Sequence, residues 1–457
     1  VSRTPEDWSE LGGLPSRMVC GGCGAAVADA EPYPFRCPNA GDGGDHVLRR
    51  LLDYDSLEFP LGGADEAQPF VRYRTLLRSY HLARAAGLSD ADYVSLVRRL
   101  DEAVARVDGR GFVTTPFGPQ PSLAAAVGLA APVLVKDETC NVAGSHKGRH
   151  LFGVLVHLEV AERIGLADPS SRPPLAIASC GNAALAAAVV AAAGERKLLV
   201  FVPTDADPVV VAHLKELGAT VTVCPRRPGT PGDPTYLRLQ AVVADGALPF
   251  TCQGNENGLA VEGGETLGYE IVSQLAETGE GLDSIVVQVG GGALASAVAA
   301  SLFEAVRFGV LGEAPSFHTV QTEAAWPLRR AYERVRDLVG GDASPSAVES
   351  ALAEAAADRA KFMWPWESAP HSIAHGILDD ETYDWLAVTE AMLESGGTPA
   401  VVGEAELAEA NRIAHETTGI RVDPTGSSGL AGLRRLVADG VLAPDERAAV
   451  LFTGAER

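Results

Sequence analysis

The sequence predicts an α/β protein built from two parallel-sheet domains, with a small cysteine-bearing module on the N-terminal side, and three observations predict it. From about residue 133 onward, short apolar runs alternate with helical stretches across joints rich in Gly, Pro and Asp, which is the pattern of parallel strands covered by helices on both faces. At 457 residues the chain is long enough for two or three domains. Near its start, Cys20-Gly-Gly-Cys23 and Cys37 stand apart from that alternation. The expected units are a module over 1–65, a large domain formed by 66–165 and 251–457, and a smaller α/β domain over 166–250.

In the module, two cysteines two residues apart make half of a zinc knuckle, and Cys37 with His46 would complete a tetrahedron. The second half is not a Cys-x-x-Cys pair. The spacing is therefore compatible both with a zinc-ribbon-like site on Cys20, Cys23, Cys37 and His46 and with a ribbon that holds no metal.

Residues 66–114 read as helical, with Tyr80, Leu82, Ala83, Tyr93, Leu96, Val97 and Leu100 marking buried faces and Asp90 and Asp92 near a helix start. A short helix is expected over Ser122–Val127, then a strand at Val133–Val135. Buried strands are predicted at Leu175–Ala178, Leu198–Val202, Val221–Val223, Ile285–Val289 and Ala448–Phe452, with helices at Ala183–Ala193, Pro208–Leu217, Pro234–Ala244 and Glu265–Leu275. The Arg226–Pro234 stretch, with several Pro and Gly, reads as a loop.

Charged residues make up 21% and hydrophobic ones 46% of the chain, the balance of a globular protein. A formal net charge of −23 argues against nucleic acid or an anionic membrane as a partner. The longest apolar runs are alanine-rich and too short for a bilayer. The opening Val-Ser-Arg-Thr-Pro-Glu-Asp-Trp has neither a basic region nor an apolar core, so no secretory signal is expected and a cytoplasmic location is. Seven cysteines, scattered, favour free thiols or metal ligands over a disulfide framework.

Four stretches carry chemistry. Lys136 to His150 runs from a strand into a helix, with Leu151, Val154, Leu155 and Leu158 at helical spacing, so Lys147 falls at the helix start. An amine there, beside unpaired backbone N–H groups and partly out of bulk water, is disposed to attack an aldehyde, as binding of pyridoxal phosphate (PLP) requires. Ser179-Cys180-Gly181-Asn182-Ala183 follows a strand and opens a helix, where N–H groups with Ser179 can receive a carboxylate. Asn182 can either donate to an oxygen of a bound ring or cap the helix. Gly290, Gly291, Gly292, Ala293 and Leu294 follow another strand and can curl into an N–H nest for a phosphate. Thr453 ends the last strand, on the side where ligands bind in parallel sheets.

Together these stretches resemble the fold-type II PLP enzymes (the tryptophan synthase β-like fold), the superfamily of threonine synthase, threonine and serine dehydratases and cysteine synthase. The resemblance runs from about Thr115 to Thr453, with the motifs in the family's order. It implies that Lys147 is the Schiff-base lysine, that Asn182 contacts the ring hydroxyl, that Gly290 to Leu294 hold the phosphate and that Thr453 faces the pyridine nitrogen. Glu262-Gly263-Gly264-Glu265-Thr266 looks like the family's Glu-Gly-x-x-Thr helix start, and Asp423-Pro424-Thr425-Gly426 like the stretch before its penultimate helix. Lys136-Asp137-Glu138 and the cysteine-bearing N-terminus look most like threonine synthase, whereas Ser372-Ile373-Ala374-His375-Gly376 looks more like the dehydratases. His146, Gly148, Cys180 and His375 depart from the family's usual residues.

The resemblance implies an amino-acid substrate, a PLP cofactor and a homodimer, with Ser179, Cys180, Gly181, Ala183 and His375 toward the substrate. A hydroxyl rather than a carboxylate at the pyridine nitrogen leaves the ring a weaker electron sink, which favours α,β-elimination from threonine, serine or a similar β-substituted amino acid. Synthase-like replacement stands as the alternative, with only Arg149 and His150 as candidate cations for a substrate phosphate. A non-catalytic PLP-binding subunit and a nucleotide-binding module are less consistent with these residues, since the latter needs Gly-x-Gly-x-x-Gly after its first strand and gives Lys147 no role. An aromatic cluster of Trp364, Trp366 and Trp385, with His371 and His375, is compatible both with Met363–Trp385 bordering the substrate entrance and with a packed interface loop.

Overall fold

The computed structural model describes residues 13–62, 66–226, 232–341 and 344–457. The N-terminal octapeptide read above and positions 227–231 of the Arg226–Pro234 loop lie outside the described residues.

Three sheets organise the chain. β1 (Ser16–Cys20) and β2 (Leu48–Leu52) pair antiparallel as the N-terminal ribbon. A six-stranded sheet contains β3 (Phe117–Gln120), β4 (Val133–Asp137), β9 (Ser284–Gln288), β10 (Ser316–Thr322), β11 (Pro399–Val402) and β12 (Ala448–Phe452), in the order β11-β10-β9-β12-β4-β3. A four-stranded parallel sheet contains β5 (Leu175–Ala178), β6 (Leu198–Val202), β7 (Thr220–Val223) and β8 (Leu248–Pro249), in the order β7-β6-β5-β8.

The larger sheet is parallel except for β3, which runs antiparallel to β4 at its edge. That departs from the purely parallel expectation, and Pro119 explains the position, since a strand residue without an N–H is tolerated at an edge. β10 and β11 escape the sequence pattern. β10 reads Ser-Phe-His-Thr-Val-Gln-Thr, too polar for a buried strand, yet His318 accepts from the Thr398 N–H at 3.1 Å, Thr319 donates to the Met392 sulfur, and Gln321 accepts from the Arg329 N–H. Paired in this way, polar side chains occupy the interior without the usual cost.

The ribbon shares its core with the rest of the protein: Met18, Cys20, Phe35, Cys37 and Leu48 pack in one apolar cluster with Phe70, Phe152 and Leu155. Arg50 on β2 is fully buried and donates to the Leu76 carbonyl, Glu265, Tyr269 and Glu304, tying the ribbon to the helices Ala260–Thr278 and Ala293–Arg307. No helix among the described residues is long and apolar enough to cross a membrane.

Candidate active site

The carboxyl ends of β4, β5, β9 and β12 converge on one cavity of about 290 Å³, as expected where ligands bind open parallel sheets. It is lined by Lys147, by Ser179 to Ala183, by Gly290 to Leu294, by His375 and by Thr453, so every residue expected to face cofactor or substrate is brought to it. The four metal-candidate residues lie elsewhere, in the ribbon.

After β4 the chain makes a 3-10 turn at Val142–Gly144, with Ala143 in the left-handed region (φ 55°), and the Lys147–Arg163 helix follows. Lys147 is its first residue. The preceding loop is stitched to the end of β12: the His146 N–H donates to the Thr453 carbonyl at 3.1 Å, and Ser145 bridges to Gly454. Because a carbonyl only accepts, the 3.2 Å contact from His146 Nδ1 to the same oxygen makes Nδ1 the protonated nitrogen. Burial, with Lys147 and His150 nearby, pushes His146 well below the usual histidine range, so it is neutral, and its Nε2 has no hydrogen-bond partner. Lys147 Nζ makes no ion pair or hydrogen bond among the described residues.

Asn182 is not the helix cap. Gly181 takes that position without a side-chain bond, and Asn182 Nδ2 instead lies 3.4 Å from Asp423 Oδ2. Gly454 is required beside them, because a Cβ there would fall 2.7 Å from Asn182 Nδ2. Gly292 has φ 101° and opens the Ala293–Arg307 helix, whose first-turn N–H groups at Ala293 and Leu294 lack intrahelical acceptors. Behind the glycines, a Cβ on Gly290 would strike Asp379 and one on Gly291 would strike Tyr383. The Asp379 carboxyl accepts the Gly291 N–H and is pushed up to about 6 chiefly by burial. This three-glycine cradle, with the Ala293 and Leu294 N–H groups at the helix start, fits a phosphate, and a primary amine and a hydroxyl lie across the same cavity, which suits PLP.

Gln288, Thr251 and Gln253 line the site but are not singled out by the sequence, and Asp379 and Asp423 are read there only within the stretches 363–385 and 423–426. A glutamine inside the apolar run Ile285-Val286-Val287-Gln288-Val289 was the one available signal, since a lone polar side chain in a buried strand needs a partner.

Two expectations are corrected by the geometry. Arg149 and His150 do not offer cations to the cavity. Arg149 is fully buried and bound to Glu138 and Glu270, while His150, pushed down to about 3 by burial, hydrogen-bonds the Ala260 carbonyl at 2.8 Å. The tryptophan cluster is also divided. Trp364 and Trp366 stack around Arg330, at 3.6 and 5.1 Å from its guanidinium carbon, and Trp385 is buried with its Nε1 donating to Asp45. Only the middle of the stretch, His375 to Asp379 with Tyr383, lines the cavity.

The strand order, the glycine cradle and the lysine at the helix start define a fold-type II PLP protein. The family model described as pyridoxal-phosphate dependent enzyme matches residues 110–454, and the chain belongs to that family. It is 26% identical over 321 residues to threonine synthase of Methanocaldococcus jannaschii, covering 70% of this chain and 69% of the relative. Among solved structures, diaminopropionate ammonia lyase from Escherichia coli superposes with a TM-score of 0.57 at 18% identity, covering 88% of this chain and 93% of that one. The processed form of threonine deaminase isoform 2 from Solanum lycopersicum gives 0.56 at 15% identity, covering 81% and 92%. These structural likenesses show the fold.

Proposed function

We propose that the protein is a PLP-dependent lyase that removes a β-substituent from an amino acid such as threonine or serine. The observation that carries this is the withdrawal of Arg149 and His150 from the cavity: Lys147 is the one lysine, and no arginine is found, among the described lining residues. Replacement on a phosphorylated substrate needs a grip on that phosphate, and the described lining residues offer none beyond Lys147 and the glycine cradle. The threonine synthase relative favours the replacement reading instead.

When bound, the cofactor supplies an electron sink for the substrate's Cα carbanion. Lys147 would hold the cofactor covalently through Nζ, and the same amine, lining the cavity, is placed to serve as base for the substrate's α-proton. The Gly290 to Leu294 cradle would hold the cofactor's phosphate, with the Ala293 and Leu294 N–H groups at the helix start as donors. Asn182 would donate toward the ring hydroxyl, and Thr453 would donate to the ring nitrogen. Ser179 to Ala183 receive the substrate carboxylate at the start of their helix, with His375 at the far side of the substrate. Domains over 66–165 with 251–457 and over 166–250 would close this cavity between them.

The ribbon is proposed to hold zinc. Cys20, Cys23, Cys37 and His46 place one ligand atom each within 4.8 Å of all the others. The Cys23 and Cys37 sulfurs are 3.6 Å apart, close to the roughly 3.8 Å that tetrahedral zinc with Zn–S near 2.3 Å imposes. His46 turns Nδ1 toward Cys20 and lies with Nε2 2.6 Å from Asp42, the outer carboxylate that fixes a ligating histidine's tautomer. The N–H groups of Cys23 and Asn39 point at the Cys20 and Cys37 sulfurs.

Incubation of PLP-loaded protein with L-threonine, L-serine and O-phosphohomoserine tests the reaction. Keto acid from either of the first two supports elimination. Threonine from the third, with no keto acid from the others, overturns it.

A further inference from the structure

Gln288 ends β9 one residue before the glycine cradle and is 4% exposed. Its Nε2 lies 2.8 Å from Thr453 Oγ1, 2.8 Å from the Gly426 carbonyl, 3.2 Å from the Leu451 carbonyl and 3.4 Å from the Thr425 carbonyl. Its Oε1 is buried and has no hydrogen-bond partner. That orientation is fixed by chemistry, because a turned amide would put its own oxygen against three carbonyl oxygens, none of which can donate. An unpaired buried acceptor opposes folding, and the side chain retains it while keeping its donor end on Thr453.

The consequence falls on Thr453. Among the described residues, the hydrogen bond from Gln288 is the only one that Thr453 Oγ1 makes. A hydroxyl that accepts from an amide keeps its own hydrogen for another acceptor, and both residues line the cavity.

We propose that Gln288 is a positioning residue that fixes Thr453 as a hydrogen-bond donor toward the cofactor's ring nitrogen, and so holds that nitrogen unprotonated. This rests on Thr453 being the ring contact, as proposed above. With Gln288 removed, the Gly426 carbonyl keeps only the Thr453 N–H at 3.4 Å, and the Thr453 hydroxyl loses the amide donor that fixes it as a donor. The ring nitrogen then loses its partner although Thr453 is still present.

The test is the 15N resonance of holoenzyme loaded with PLP labelled at the ring nitrogen, a readout that needs no turnover. In the unmodified protein the nitrogen is expected to be hydrogen-bonded and unprotonated across pH 6–9, and a protonated nitrogen overturns the proposal by itself, whether or not any variant folds. In Gln288→Met the resonance is expected to move downfield, toward free pyridine. Thr453→Ala should move it the same way, and the double variant no further than Thr453→Ala alone, because both changes remove one interaction. A resonance unmoved by Gln288→Met but moved by Thr453→Ala overturns the role of Gln288 and leaves the ring contact standing. A resonance unmoved by Thr453→Ala overturns the ring contact itself, and Gln288's role with it.

Discussion

Arg149 grips Glu138 with two parallel hydrogen bonds of 2.9 Å, Nε to Oε2 and Nη2 to Oε1, only two residues beyond Lys147. Its Nη1 reaches Glu270 at 2.6 Å, and Lys136 closes the other side of Glu270 at 2.6 Å. Two cations thus meet two carboxylates with no exposed member. Arg149 joins the loop after β4 to the Ala260–Thr278 helix, and it is unavailable for recognising substrate.

Arg149→Met is expected to destabilise the protein by about 3–5 kcal/mol, because it strands two buried carboxylates against one lysine. Urea unfolding measures it. A midpoint equal to that of the unmodified protein would show that the pairs contribute nothing.

Lys147→Ala should leave PLP without its covalent attachment and lower turnover by several orders of magnitude, since one side chain provides both nucleophile and base. Borohydride reduction of the holoenzyme followed by peptide mapping identifies the modified residue. A label on any other lysine contradicts the site.

Protein prepared without a histidine tag is expected to carry one zinc per chain, and Cys23→Ser to lose it. Removal of the metal should lower thermal stability, because Cys20 and Cys37 belong to the main apolar core. Preparations free of zinc whose melting temperature is unaffected by Cys23→Ser would rule the site out.

Asp384 is 1% exposed, packs against Gly254 and Gly292, and has its carboxyl pushed up to about 7, first by burial and then by Asp45. A carboxyl raised above its unfolded value favours the folded state while protonated. Its contribution is complete below about pH 4 and is lost as pH rises through about 7, a change on the order of a few kcal/mol. Asp384→Asn should therefore be near neutral for stability at pH 5 and stabilising at pH 8. Equal unfolding midpoint differences at the two pH values would show that Asp384 does not titrate in this way.

The linear order of residues determined which backbone turns line the cavity. A strand, then a lysine at a helix start; a strand, then Ser-Cys-Gly-Asn; a strand, then three glycines; a final strand, then threonine: each is a local pattern whose geometry follows from nearby residues. The Cys20, Cys23, Cys37 and His46 grouping, which the structure brings within 4.8 Å, was legible in part for the same reason, because the Cys-x-x-Cys half is short-range. Only the tertiary structure decided what each polar side chain is bound to. Arg149 and His150 read as free cations beside Lys147, and partners 11 to 121 residues away consume them. Trp364, Trp366 and Trp385 read as one cluster, but Arg330 and Asp45 draw them to separate places. Gln288 looked like an irregularity in a strand until the end of β12 arrived beside it. Hydrogen-bond and ion-pair partners are set by contacts between segments far apart in sequence, and no window along the chain holds both halves of such a pair.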